Sequence, residues 1–199
     1  ESLGMSTGPV PMEPYRSPEF FEKERERIFK RSWLMMGRQE EVPNPGDFVL
    51  RRIEVCNASV IISRGKDGQV RAFHNVCSHR GNEVVLEERG TANRFLCRYH
   101  NWTYGNDGRL IGVPDEKMFF DLDKSKCGLT AIACEVWEGF VFINFAPEPE
   151  VSLEEFLERM AFAFRQMDID GNGVLEPHEQ HVPDAPRITI EQHEARFGD

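Results

Sequence analysis

Between Trp33 and Phe145 the chain alternates short apolar runs with polar turn residues. The runs are rich in β-branched and aromatic residues, which is typical of strands. We predict strands at Phe48–Val55, Ser59–Ser63, Gln69–Asn75, Asn93–Leu96, Arg109–Gly112, Leu129–Trp137 and Phe140–Phe145. Turn signals separate them at Asn44–Gly46, Lys66–Gly68, Asn106–Gly108 and Glu138–Gly139. Short strands joined by turns of this kind indicate an antiparallel sandwich or barrel.

Helical patterns flank the strands on both sides. Ser17 followed by Pro18 and Glu19 is a helix start, and an apolar stripe to about Arg31 should pack over the sheet. After the acidic linker Pro147–Glu150, a capping box beginning at Ser152 starts a second helix. Its apolar face comprises Met160, Ala163, Phe164 and Met167.

These patterns predict an α+β fold in three parts. Residues 1–32 form an N-terminal arm and helix, and residues 33–147 form the mainly antiparallel β domain. Residues 148–199 form a small helical unit. The two ends of the β domain are set where the periodicity changes.

Composition narrows the classes of partner. The 199 residues carry a formal charge of −10, which argues against nucleic acid or an anionic membrane as partner. No apolar run is long enough for a membrane span, and the first residues lack a signal-peptide pattern. Five cysteines, an odd number, fit a reducing cytoplasm better than a disulfide framework.

Two loops of the β domain combine cysteine and histidine. One contains Cys77-x-His79 and the other Cys97-x-x-His100, so each offers one thiolate and one imidazole. Two sulfur and two nitrogen ligands are the set that a Rieske [2Fe–2S] centre uses. A structural zinc site usually pairs Cys with Cys and His with His at short spacing. The mixed loops therefore favour the iron–sulfur cluster over zinc, which is the alternative.

The residues around these loops resemble a known family. CSHRGNEV and CRYHNWTY are similar to the Rieske domain of aromatic ring-hydroxylating oxygenase large subunits, and the likeness extends from about Tyr15 to Phe145. The resemblance implies that the two cysteines bind the buried iron and the two histidines the outer iron. Asn101 stands where the family usually has Gly, and Asn is the residue that best tolerates positive φ after Gly.

The ligand set also indicates the redox class. Two ferric ions, two sulfides, two thiolates and two neutral imidazoles sum to zero charge, so reduction is easier than with four thiolates. High-potential respiratory relatives carry a further Cys in each loop, where this chain has Asn82 and Tyr99. We therefore expect a low-potential centre of the oxygenase type, shielded from water by Tyr99 and Trp102.

A second motif follows the second predicted helix. Residues 168–179 match the EF-hand calcium loop at positions 1, 3, 5, 6 and 12. The candidate calcium ligands are Asp168, Asp170, Asn172, Val174 through its carbonyl, Glu176 and Glu179. Prolines at 183 and 186 interrupt the exit helix, so an acidic turn without calcium is the alternative.

The leading hypothesis is an electron-transfer unit of a ring-hydroxylating oxygenase. The resemblance implies that the electron donor is a reductase or ferredoxin, which itself receives electrons from NAD(P)H. It implies a non-haem iron oxygenase domain as the electron acceptor. The chain lacks the Asp/Glu-x-x-His-x(3–4)-His segment of that iron site, so we expect an oxidoreductase component that hydroxylates nothing alone. The alternatives are a standalone Rieske ferredoxin and a calcium-responsive interaction module.

Overall fold

The computed structural model describes residues 11–167, with side chains up to residue 162. Within this range the strands form two antiparallel sheets. The strands are β1 Leu34–Arg38, β2 Asp47–Ile53, β3 Ala58–Arg64, β4 Val70–His74, β5 Arg89–Thr91, β6 Arg94–Leu96, β7 Thr103–Gly105, β8 Leu110–Gly112, β9 Ala131–Trp137 and β10 Phe140–Asn144. The helices are α1 Pro18–Glu24 and α2 Leu153–Met167. The predicted class, a mainly antiparallel β structure with few helices, is confirmed.

The larger sheet has the strand order β1-β10-β9-β4-β3-β2-β5 and the smaller one β6-β7-β8. The larger sheet is buried on both faces, because side chains alternate between two apolar clusters along β2 and β3. Leu50 and Ile61 belong to one cluster, and Val49 and Val60 belong to the other. The second cluster joins residues from both ends of the sheet, so the sheet is curled. The first cluster packs the larger sheet against the smaller one.

All seven predicted strands are present, and β1, β5 and β7 are additional. Two of the three additional strands have only three residues, too few to show a period in the sequence. The predicted turns are also found. Glu138 and Gly139 both have positive φ, of 47° and 82°, as a tight hairpin between β9 and β10 requires.

The first helix departs from its prediction. Ser17 caps it as expected, since its Oγ accepts a hydrogen bond from Phe20 N at 3.1 Å. Beyond Glu24 the chain widens into a π-helical turn, Arg25–Phe29, closed by Lys30 N donating to Arg25 O. Neither α1 nor this turn contains a fully buried residue: Phe21 and Ile28 are exposed and Phe29 is half-buried, so the predicted apolar stripe is only partly covered.

Residues Pro11–Leu153 form one compact unit that contains both sheets and α1. The indole of Trp33, just before β1, donates to the carbonyl of Val151, the residue after the predicted linker, at 3.0 Å. Helix α2, considered by itself, carries an ion pair between Glu155 and Arg159 one turn apart. Among residues 11–167 no helix has the length and apolar character that crossing a bilayer requires.

Candidate metal centre

The first ligand loop, Cys77–Asn82 (loop 1), follows β4. Gly81 N donates to Cys77 O at 2.9 Å, and Cys77 N donates to Asn82 O at 2.8 Å. Gly81 has φ of 72°, which the tight return of the chain requires and which glycine adopts without strain. Loop 1 does not close a hairpin, because β4 pairs with β3 and β9 while β5 pairs with β2.

The second ligand loop, Cys97–Trp102 (loop 2), closes the hairpin of β6 and β7. Its backbone repeats the pattern of loop 1: Asn101 N donates to Cys97 O, and Cys97 N donates to Trp102 O, both at 2.9 Å. Asn101 has φ of 58° and occupies the place of Gly81. The expectation that Asn101 adopts the left-handed conformation is confirmed.

The two thiols lie together inside the domain. Cys77 and Cys97 are 3% and 1% exposed. Burial raises the pKa of the Cys77 thiol, the Tyr104 hydroxyl opposes this rise, and the neighbouring Cys97 thiol adds to it. The Tyr104 hydroxyl lies 3.1 Å from Cys77 Sγ and accepts a hydrogen bond from Ser78 N at 3.0 Å. Burial also raises the pKa of Tyr104, so this hydroxyl keeps its proton.

The two imidazoles lie together nearer the surface. The ring centroids of His79 and His100 are 4.6 Å apart, and both residues are partly exposed. His79 stacks on the buried Trp102 at 4.8 Å, with the ring planes 9° apart. Its pKa is lowered, first by loss of solvent and then by His100, which favours the neutral form that binds metals.

The site therefore contains one buried pair of thiols and one outer pair of imidazoles. Within the part of the chain whose side chains are described, no three His, Cys, Asp or Glu residues converge on a single ion position. Two pairs suit two metal ions with two protein ligands each, which is the donor set of a Rieske cluster. A single four-coordinate zinc ion would need all four groups to converge.

Of the two residues predicted to shield the site from water, only Trp102 is buried beside the ligands. Trp102 is buried against His79, whereas Tyr99 is 59% exposed, although its ring contacts that of His100 with the centroids 3.8 Å apart. Phe119 takes part in the shielding instead, with its ring 5.9 Å from both His79 and Trp102. Phe119 lies 17 residues beyond Trp102 in a segment without strand or helix periodicity, so no sequence signal pointed to it.

Two buried polar residues that support loop 1 were also missed. Asn75 is fully buried and its Oδ1 accepts from Val84 N and Val85 N at 3.0 and 2.8 Å. Its Nδ2 donates to Val85 O at 2.7 Å, so one side chain fixes the segment after the loop. Tyr104 is the second. A polar residue at the end of an apolar run, as Asn75 is after β4, was the available signal.

The candidate calcium ligands Asp168, Asp170, Asn172, Val174, Glu176 and Glu179 lie outside the described residues. The calcium site therefore stays a prediction from the sequence.

Comparison with known families assigns the domain. Residues 32–130 match the family model of the Rieske [2Fe-2S] domain. The chain carries a Rieske domain. Both ligand loops lie inside the matched range, as do β1 to β8.

The relatives are large oxygenase subunits. The glycine betaine monooxygenase oxygenase subunit of Pseudomonas aeruginosa is 34% identical over 161 residues, which are 81% of this chain and 37% of that protein. The large oxygenase component of a naphthalene 1,2-dioxygenase system, also from Pseudomonas aeruginosa, is 42% identical over 142 residues, 70% of this chain and 31% of that one. The chain thus spans about a third of the length of these relatives.

Solved structures give the same result. The naphthalene 1,2-dioxygenase of a Rhodococcus species, bound to indole, superposes with a TM-score of 0.71 at 34% identity. The match covers 81% of this chain and 36% of that one. A quaternary ammonium Rieske monooxygenase in complex with gamma-butyrobetaine superposes with a TM-score of 0.70 at 35% identity. This match covers 79% of this chain and 44% of that one. The predicted resemblance to oxygenase large subunits is confirmed for the Rieske domain.

Proposed function

We propose that this chain is an electron-transfer unit of a ring-hydroxylating type of oxygenase. In this proposal Cys77 and Cys97 hold one iron of a [2Fe–2S] cluster, and His79 and His100 hold the other. The β domain at 33–147 is the redox domain, and residues 1–32 and 148–199 are its N-terminal and C-terminal extensions. The observation that carries the proposal is the separation of the donors into a buried thiol pair and an outer imidazole pair.

The donor set fits the cluster chemically. When bound, the cluster supplies a one-electron carrier whose potential lies above that of plant-type ferredoxins. The chain's own residues set its surroundings. Tyr104 offers a hydroxyl to the buried sulfur of Cys77, and Trp102 keeps water from one face of His79. Hydrogen bonds to sulfur and limited access of solvent are the protein's means of tuning such a potential.

The imidazole side is suited to contact with a redox partner. Phe120 is 94% exposed and Met118 is 76% exposed, and both flank Phe119, which contacts His79. An exposed apolar cluster beside a redox site is typical of a docking surface. We propose that the electron donor, a reductase or ferredoxin supplied by NAD(P)H, and the acceptor, a non-haem iron oxygenase domain, approach on this side.

The chain matches only about a third of the length of these relatives, and its own role is proposed as electron transfer alone. With reductase, NADH, oxygen and an aromatic substrate, the chain should be reduced and slowly reoxidised. No cis-diol or phenol should form. A hydroxylated product with this chain as the sole oxygenase component would contradict the proposal. A standalone Rieske ferredoxin is the alternative, and it would additionally support turnover by a separate oxygenase deprived of its own ferredoxin.

The cluster itself is tested by composition and spectroscopy. The purified protein should contain about two irons and two labile sulfides per chain, and on reduction should give an anisotropic EPR signal. His79→Gln should lose the signal. His74→Gln is the matched control, because His74 is a half-buried histidine that contacts Phe145 rather than the ligand loops. A colourless protein holding one zinc would contradict the proposal.

A calcium-binding role for residues 168–179 is proposed only on the loop's match to the EF-hand template. Calorimetry on the wild type should show calcium binding with a dissociation constant of roughly 10⁻⁵ to 10⁻³ M, at the weak end of the EF-hand range. Asp168→Ala should abolish the heat of calcium binding. Equal binding by both proteins would mean that calcium binds elsewhere.

A further inference from the structure

Residues 114–126, between β8 and β9, form a surface segment that we call the strap. Lys124 Nζ lies 3.0 Å from Glu116 Oε2, so an ion pair joins the two halves of the strap. Just beyond it, Gly128 O accepts a hydrogen bond from Ser78 Oγ at 2.5 Å, which links the chain to loop 1. The strap is therefore closed on itself and held beside the first ligand loop.

The middle of the strap turns one apolar side chain inward. Asp115 and Asp121 have φ of 52° and 56°, a left-handed conformation that Asp adopts more readily than most residues do. Between these two residues, Met118 is 76% exposed and Phe120 is 94% exposed, whereas Phe119 is 36% exposed. The strap thus directs the central one of three consecutive apolar residues toward the protein.

The ring of Phe119 contacts two other rings at once. Its centroid lies 5.9 Å from that of His79 and 5.9 Å from that of Trp102, with the ring planes at 78° and 70°. The rings of His79 and Trp102 are stacked on each other. Edge-to-face contacts at such distances are a preferred aromatic geometry. Turning the His79 imidazole out of its stack would therefore disrupt its contact with Trp102 and its contact with Phe119.

We propose that Phe119 is a positioning residue of the redox site. Its ring holds the imidazole of His79 against Trp102 and keeps water from the outer edge of that imidazole. The inference rests on the proposed function, in which His79 binds the outer iron. Because the oxidised cluster is neutral and the reduced cluster carries one negative charge, water beside it favours the reduced form. By excluding water, Phe119 lowers the reduction potential.

Voltammetry of Phe119→Ala tests this inference. Loss of the ring should raise the reduction potential, so that the equilibrium constant for one-electron reduction increases about fivefold, or roughly 40 mV. Pulsed EPR of the reduced variant in D₂O should show stronger deuterium coupling, because exchangeable solvent protons come closer to the unpaired electron. Phe119→Leu keeps an apolar side chain but not the flat ring, so its potential should rise by a smaller amount.

The matched control is Phe120→Ala, which removes the same ring from the next position of the strap, where the side chain is 94% exposed. Its reduction potential and deuterium coupling should equal those of the wild type. An unchanged or lower potential in Phe119→Ala, or an equal rise in Phe120→Ala, would overturn the inference and leave the cluster assignment in place. Iron content and the EPR signal are measured first in each protein. A wild type without the cluster would contradict the proposed function, and this inference with it.

Discussion

Loops 1 and 2 close with the same backbone hydrogen bonds, yet the domain holds them by different means. Loop 1 is fixed from inside by Tyr104, whose Oη accepts from Ser78 N, and at the surface by Ser78 Oγ, which donates to Gly128 O. Loop 2 has Cys97 and Trp102 packed in the core, but its polar link to the surroundings is the exposed ion pair of Arg98 and Glu87. Hydrogen bonds shielded from water contribute more than exposed ion pairs do. The polar contacts that support the same local geometry are therefore of unequal strength, and loop 1 has the stronger ones.

The largest effect should come from Asn75→Ala. The change leaves Val84 N and Val85 N buried without their acceptor, and each such group costs about 1–3 kcal/mol. We expect the free energy of unfolding to fall by roughly 3 kcal/mol, measured by urea denaturation. Asn82→Ala is the control, since its exposed amide bonds only to Glu83 O. If the two variants were equally stable, loop 1 would not depend on buried support.

Tyr104→Phe should act on both stability and redox potential. The variant leaves the Ser78 N–H without its acceptor, which should lower stability by about 1–2 kcal/mol. It also removes a hydroxyl from Cys77 Sγ, so the reduced, more negative cluster loses stabilisation and the potential should fall. A loss of about 1 kcal/mol corresponds to roughly 40 mV for one electron.

Voltammetry of the wild type and Tyr104→Phe would measure that shift. Tyr99→Phe serves as the control, because Tyr99 is largely exposed. The reduction potential of this variant should stay near that of the wild type. A rise in potential on removing the Tyr104 hydroxyl would show that it does not donate to the sulfur.

The shared left-handed position should accept Gly or Asn in either loop but not Ala. A Cβ at Gly81 would meet nothing within 4 Å, so Gly81→Ala isolates the cost of positive φ, about 1–2 kcal/mol. Asn101→Gly should change stability by less than about 0.5 kcal/mol, because both residues tolerate this conformation. Thermal unfolding of the two variants provides the measurement. A large loss in Asn101→Gly would mean that the Asn101 side chain itself holds loop 2.

The smallest effect should come from Arg98→Gln. Both members of the Arg98–Glu87 pair are more than half exposed, so solvent screens their attraction. We expect the free energy of unfolding to change by less than about 0.5 kcal/mol, and the difference between variant and wild type to vanish at high salt. Denaturation at low and high ionic strength measures it. A loss as large as that of Asn75→Ala would remove the contrast between the loops.

The part of the site that the sequence could predict is the part encoded locally. Cys77, His79, Cys97 and His100 stand at short spacings within two loops, and the structure brings these four residues together. The left-handed conformation at Asn101 followed from its place after His100 and from residue type alone. Such features need only neighbouring residues, so a single sequence contains them.

The supporting residues could not be predicted, because tertiary packing selects them. Tyr104 reads as an ordinary strand aromatic until β7 is placed beneath loop 1. Phe119 reaches His79 from a segment with no periodic pattern. The short strand β5 exists because it pairs with β2, a distant partner. The π-helical turn after α1 is accompanied by Arg25 Nε donating to Val55 O, again a long-range contact.

The two edges of the larger sheet limit how other chains can associate with it. At one edge, β5 is three residues long, begins with Arg89 and has Gly90 in its centre. At the other, β1 has a register irregularity between Met35 and Gly37. Short, charged or bulged edges resist strand addition by a second chain, which protects against edge-to-edge aggregation. A partner that adds a β-strand would therefore find a poor template here.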